Sequence, residues 1–166
     1  GMKEVLAQIE NPTPIEANDY MAWGTMREPY IALAIKEQFA EFQLMPNDFL
    51  VSAEGPGNEW MLSTPDMLSL DHRFLAEIKT TGKPFDNAIP IAYRRQIQWQ
   101  LHTTGCERAL FCWELRLQGP EGFVAGFDIQ TEWVDRDDKM IKELVETAQQ
   151  VQQHAIYWER SQRENN

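Results

Sequence analysis

Two cysteines and three histidines in 166 residues leave little material for thiol or imidazole chemistry. Cys106 and Cys112 lack the spacing of zinc ligands, and Cys112, inside Ala109-Leu110-Phe111-Cys112-Trp113, reads as a buried core residue. His72, His102 and His154 are scattered without ligand spacing and read as surface or helix-end residues. There is no Ser-His-Asp order, glycine-rich phosphate loop or nucleotide fingerprint. No apolar run is long enough to span a membrane and no charged, apolar leader opens the chain, so a soluble cytoplasmic protein is expected. Gly1 before Met2 looks like a tag remnant. Basic residues are scarce too: 15 Lys and Arg face 26 Asp and Glu, for a formal net charge of -11. Global charge alone therefore offers no attraction for a polyanion.

What the chain does have is enough apolar material for a real core, at 43% hydrophobic with six Trp and eight Phe. One domain over 1–166 is expected, with an irregular N-terminal segment at 1–14, a core at 15–133 and a C-terminal helix and tail at 134–166. Periodicity and turn signals predict a helix at about 15 to 40 and strands near 49 to 54, 59 to 64 and 73 to 80. A second helix at 90 to 103 starts on Pro90. Strands near 108 to 117 and 123 to 133 join through Gln118-Gly119-Pro120-Glu121-Gly122 as a hairpin. A long polar helix from about 136 to 161 closes the chain, and Ser161 to Asn166 read as a frayed tail. This order makes an α/β fold, a central mixed β-sheet flanked by α-helices. The last helix carries Ile141, Leu144, Ala148, Val151, Ala155 and Trp158 as a narrow seam, suited to its own sheet or to a partner helix.

The chemistry concentrates in two short stretches. Leu75-Ala76-Glu77-Ile78-Lys79 alternates, so Leu75, Glu77 and Lys79 share one face of a strand and Ala76 and Ile78 the other. Eleven residues before Glu77, Asp66 follows Thr64-Pro65, where a preceding strand runs out. Two carboxylates and a lysine at strand ends are the parts of a metal-dependent nuclease. Phosphodiester hydrolysis needs a nucleophilic water, neutralised phosphoryl oxygens and help for the leaving oxygen, all of which magnesium or manganese can supply. Hard cations take oxygen ligands, so Asp66 and Glu77 are the right type, and Lys79 can orient or deprotonate the water or neutralise developing charge. On a surface strand the same Glu-x-Lys triplet is only a solvated pair. Without a cation, Asp66 and Glu77 should repel one another and raise one carboxyl's pKa.

Two flanking segments add to the set. Trp23-Gly24-Thr25-Met26-Arg27-Glu28-Pro29 reads as the opening of an amphipathic helix, with Glu28 in its first turns. On the helix from Pro90, Tyr93, Gln96 and Gln100 share a face, away from Ile97 and Leu101.

In their order and spacing, Gly24-Thr25-Met26-Arg27-Glu28, Ser63-Thr64-Pro65-Asp66, Glu77-Ile78-Lys79-Thr80 and Ile89 to Gln98 resemble the phage-type exonuclease and recombinase family. This lambda-exonuclease-like family, also called YqaJ-like, lies within the PD-(D/E)xK nuclease superfamily, and the resemblance covers about Trp23 to Trp113. It implies a restriction-endonuclease-like core and a Mg2+- or Mn2+-dependent DNA exonuclease of phage or prophage origin, working in the bacterial cytoplasm. In that pattern Asp66 and Glu77 bind metal, with the Ile78 carbonyl as a further ligand and Glu28 completing the acidic cluster. Lys79 is the catalytic lysine, and Gln96 positions it or the water, with Tyr93 one helical turn earlier. The implied partners are double-stranded DNA, chiefly its ends, a homo-oligomer, and a phage single-strand annealing protein.

The chain departs from the family pattern in three ways. Met67 stands where the family often has glycine after the Pro-Asp pair, and Lys3 is the only basic residue before Gly24, so no phosphate clamp is evident there. The acidic balance is the third, although Arg73, Lys79, Lys83, Arg94 and Arg95 against Glu77 and Asp86 make the window 73–95 net positive. Arg73, Lys83, Arg94, Arg95 and Tyr93 are accordingly the candidate DNA contacts. The departures also leave room for a catalytically weak DNA-binding or assembly component that keeps the nuclease fold, or for a phage accessory protein.

Overall fold

The computed structural model describes residues 2–12, 18–86 and 88–165. They form two compact units, one built from both chain ends and one from Asn18–Asp137.

In the first unit, α1 (Met2–Glu10) packs along α4 (Asp138–Glu164). Residues 2–10 are therefore helical rather than irregular, because Met2, Leu6 and Ile9 recur at helical spacing. Gly1, residues 13–17 and Asn166 lie outside the described residues, and with them the first positions of the helix expected from about 15. The seam residues Leu144, Ala148, Val151, Ala155 and Trp158 are half-buried, and His154 Nε2 lies 2.9 Å from Glu10 Oε1. A helix of the same chain thus partners α4. The helix also runs to Glu164, past the expected start of a frayed tail.

The second unit is a mixed five-stranded sheet with a helix on each face. Its strands are β1 (Leu44–Pro46), β4 (Met67–Ser69), β5 (Phe74–Thr81), β6 (Arg108–Gly119) and β7 (Gly122–Asp135), in spatial order β1-β4-β5-β6-β7. Only β5 and β6 run parallel, joined over one face by α3 (Ile91–Thr104). The expected strands at 49 to 54 and 59 to 64 shrink to a two-stranded ribbon, β2 (Val51–Ser52) with β3 (Leu62–Ser63). Two sheet strands, β1 and β4, are additions. Each is three residues long, too short for alternation to mark it.

Alternation along β5 divides the core. Ala76 and Ile78 join Ile31, Ala32 and Ile35 of α2 (Asp19–Gln38), while Leu75 joins Ile97 and Leu101 of α3. Met67 is fully buried with the α2 group and pairs with Ala76, so this position is a strand and core residue here, not a loop turn.

The start of α2 differs from expectation. Asn18 caps it, its side chain accepting from Met21 N at 2.9 Å, and the helix runs on through Pro29. Glu28 therefore sits mid-helix, not in a first turn. Pro29 offers no N–H to the Thr25 carbonyl, a loss offset by burial of the turn that follows and by a tie two residues earlier. Arg27 donates from Nε and Nη2 to both oxygens of Glu114 on β6, at 2.8 and 2.9 Å, with the Glu114 side chain fully enclosed. Arg27 is held further by the Tyr30 and Phe127 rings, 5.1 and 5.3 Å from its Cζ. This clamp sets the rotation of α2 and thereby aims its neighbour, Glu28. Arg27→Met strands a buried carboxylate, so urea denaturation should show a loss of about 3 kcal/mol or more, and a loss below about 1 kcal/mol would contradict the clamp.

Candidate active site

The strand register brings the first two acids together. Because Met67 pairs with Ala76 and Leu68 with Leu75, the next position on the ladder sets Asp66 opposite Glu77. The ladder stops there. Asp66 turns its carboxylate onto the β5 backbone, Oδ2 accepting from Ile78 N at 2.7 Å, while its own carbonyl accepts from Asn47 N at 2.9 Å. Pro65, buried just before it, cannot extend the pairing.

Glu77 is 4% exposed and fully engaged. Its Oε1 accepts from Gln96 Nε2 and lies 2.8 Å from Lys79 Nζ, and its Oε2 accepts from Gln100 Nε2 at 2.8 Å. Gln96 thus serves Glu77, where a role on Lys79 or a water was expected. Gln100 takes the second oxygen. Its place one helical turn after Gln96 was visible in the sequence, but nothing there distinguished it from a structural glutamine.

Lys79 stands on the same side of β5, its Nζ 5.2 Å from the centre of the Tyr93 ring. Tyr93 itself packs against Phe85 and Phe111, with ring centres 5.9 and 5.8 Å apart. Its ring is a wall that holds the lysine.

From the other helix, α2 approaches the end of β5 at Gly24, where a Cβ would lie 3.4 Å from Thr80 Oγ1. That close approach carries Glu28 into the same cleft of about 390 Å3 as Asp66, Glu77, Ile78 and Lys79. Glu28 and Asp66 also border a second hollow, of about 300 Å3, with Pro46, Asn47 and Asp48.

The electrostatics follow from crowding like charges. Burial first, then the Glu77 charge and more weakly that of Glu28, push the Asp66 carboxyl up to about 8, against the pull of the Ile78 N–H. Burial and Glu77 likewise raise the Glu28 carboxyl, and Lys79 partly offsets them. The donors lining the cleft, three carboxylates and the Ile78 residue with its carbonyl, are oxygen donors and fit a hard dication by chemistry. Among the described residues no three His, Cys, Asp or Glu side chains already surround a common point, consistent with Glu77 being drawn to its lysine and glutamines.

The expected DNA contacts divide. Lys83 and Arg95 are exposed, Lys83 on the loop just after β5. Arg94 donates to the Ile89 carbonyl at 3.2 Å and lies 3.9 Å from Glu132. Arg73 stands just before β5, six residues before Lys79 and roughly 20 Å away at about 3.3 Å per residue, and its Nε and Nη2 donate to Glu107. Strand length and this ion pair remove Arg73 from the cleft. One cation that sequence reading missed, Arg116, lines it.

Solved structures share this fold. An alkaline exonuclease from Laribacter hongkongensis, LHK-Exo, superposes with TM-score 0.66 at 20% identity, over 99% of this chain and 84% of that one. Its crystal structure in complex with dAMP gives the same score and identity over 85% of its length. A phage-related exonuclease from Haemophilus somnus 129PT reaches TM-score 0.68 at 15% identity, over 99% and 82%. No curated protein matches the chain. Sequence identity at this level carries the fold, and the family comes from the sequence itself. The model of the YqaJ-like viral recombinase domain matches residues 2–107, more than half of the chain, and the protein belongs to that family.

Proposed function

We propose that this protein is a divalent-metal-dependent deoxyribonuclease of the phage exonuclease type, hydrolysing DNA phosphodiester bonds at duplex ends during phage or prophage recombination. The observation that carries the reading is Lys79 Nζ, 2.8 Å from Glu77 Oε1, in a cleft that Asp66 and Glu28 also line. Asp66, Glu77, Glu28 and the Ile78 carbonyl are the candidate ligands for magnesium or manganese. When bound, such an ion neutralises phosphoryl charge and makes a water nucleophilic near neutral pH. Lys79 supplies an ammonium at the same place, to orient the attacking water or to meet negative charge as it develops. Gln96 and Gln100 fix the Glu77 carboxylate from the α3 side, and Tyr93 limits where Lys79 can swing. The names of the structural neighbours, exonucleases of phage or alkaline type, agree with this chemistry.

The net charge of -11 favours one competitor, a component that keeps the fold and binds DNA without cutting it. Purified protein incubated with linear and closed circular duplex DNA, with and without Mg2+ or Mn2+, separates the readings. Metal-dependent loss of the linear form alone is expected. Loss of both forms makes the enzyme an endonuclease, and binding without cleavage at every metal concentration supports the non-cutting reading. A homo-oligomer and an annealing-protein partner remain part of the proposal, the first measurable by light scattering.

A further inference from the structure

We propose that Arg116 is a phosphate-gripping residue of the cleft, binding a phosphate group of the DNA strand that Lys79 acts on, an inference that rests on the nuclease reading. Arg116 lies on β6 two residues beyond Glu114, on the same face of the strand, and reaches the cleft that holds Lys79 and the carboxylates. The hairpin is built to aim it. Between the pairs Glu114↔Ile129 and Arg116↔Ala125 the register slips, so Gly126, Phe127 and Asp128 stand against Leu115 alone. Gly126 allows that crowding, since a Cβ there would meet the Leu115 carbonyl at 3.0 Å, and Phe127 takes a left-handed φ of 60°.

The guanidinium is then held on three sides by groups that leave its charge free. Its Cζ lies 4.2 Å from the Tyr20 ring centre and 5.0 Å from that of Phe123, and these two rings stack on each other at 5.5 Å. A Cβ on Gly82 would sit 3.0 Å from Nη2, so the glycine after β5 makes room for the arginine. Carboxylates pair with other arginines of the same unit: Arg27 with Glu114, Arg73 with Glu107 and Arg108 with Asp135. Among the described residues Arg116 has no such partner.

A planar fork of N–H donors held at the cleft with no carboxylate bonded to it is free to take an anion, and a phosphate matches that fork with two parallel hydrogen bonds. Arg116 also answers the charge problem posed by an acidic chain, because it places one cation where the polyanion must enter.

The test is fluorescence anisotropy of a labelled linear duplex, titrated over a range of NaCl with calcium replacing magnesium, on wild type, Arg116→Met and Arg116→Lys. Arg116→Met should weaken low-salt binding by about tenfold and lower the slope of log K against log salt by about one. In magnesium, its cleavage should show a raised KM with kcat changed much less. Arg116→Lys keeps the charge, so the slope should stay while affinity falls severalfold through loss of the fork. Duplexes with and without a 5′ phosphate distinguish the source: equal losses on both assign an internal phosphodiester, and a loss only on the phosphorylated end assigns the terminal group. Unchanged affinity and slope in Arg116→Met, with wild type binding and cutting normally, overturns the role of Arg116 and leaves the nuclease reading standing. Should Arg116→Met fail to fold by circular dichroism, an Arg116→Lys protein indistinguishable from wild type overturns it equally. Wild type that neither binds nor cuts duplex DNA removes the nuclease reading and this inference with it.

Discussion

Lys79→Ala is expected to lower metal-dependent DNA cleavage by about a thousandfold while the protein stays folded and still binds duplex. Among the described residues Lys79 is the one cation paired with Glu77, at 2.8 Å from its Oε1, and in the proposed mechanism its ammonium is the group able to meet charge or move a proton there. Folding should survive the change because Glu77 keeps its amide donors from Gln96 and Gln100. The damage should appear in kcat, since the interaction matters most as charge develops, and KM should move little. Initial rates on linear duplex at saturating Mg2+ read this directly. Retention of more than about a tenth of wild-type kcat would mean that Lys79 is an ordinary surface-strand lysine.

The second large effect is at Asp66, where one substitution should move two properties in opposite directions. The Asp66 carboxyl is raised from 3.8 to about 8, so between those values the folded protein holds a proton that the unfolded chain has released. The resulting stabilisation is whole below about pH 4 and is lost as pH rises through about 8. Above that the metal-free fold carries a buried, ionised carboxylate beside Glu77. Asparagine cannot ionise, yet its side-chain oxygen can still accept from Ile78 N. Asp66→Asn should therefore match wild type near pH 4 and exceed it in stability at pH 9, in EDTA, by on the order of 3 kcal/mol. The same variant should lose Mn2+ affinity by at least about tenfold, measured by calorimetry, because a charged oxygen ligand is gone. A variant no more stable than wild type at pH 9 would refute the crowding of charge. Unchanged Mn2+ affinity would remove Asp66 from the ligand set.

Legibility in the sequence tracked the length and regularity of each signal. The alternation from Leu75 to Lys79 gave β5 its faces correctly, Pro90 marked the approach to α3, and the Gln118–Gly122 turn marked the hairpin, because each is governed by local geometry. Strands β1 and β4 escaped because three residues hold too little pattern, and their pairing is a tertiary fact. The same limit left Met67 legible only as a departure from the family's glycine, when burial under α2 explains it. Helix α2 lies within the expected span of about 15 to 40, but its opening was read at Trp23 to Pro29, whereas the capping residue Asn18 lies ten residues upstream of Glu28.

The candidate site was legible in part for the same reason. Asp66, Glu77 and Lys79 stand within a short span, so register alone brings them together. Glu28 needed helix α2 to dock, which depends on Gly24 meeting Thr80 and on Arg27 reaching Glu114, 87 residues away. Arg116 depends on a register slip in a hairpin that no local composition announces. Arg73 lies outside the cleft for the converse reason: its charge was counted in a basic window, while its position before β5 and its partner Glu107, 34 residues on, are tertiary facts.

Crystals of the wild-type protein soaked in Mn2+ and measured at a wavelength where manganese scatters anomalously test the central claim most directly. The account predicts an anomalous peak in the cleft, within ligand distance of Asp66 and Glu77, that disappears in Asp66→Asn crystals. A cleft without a peak at saturating manganese, or a peak elsewhere on the molecule that survives the substitution, would contradict it.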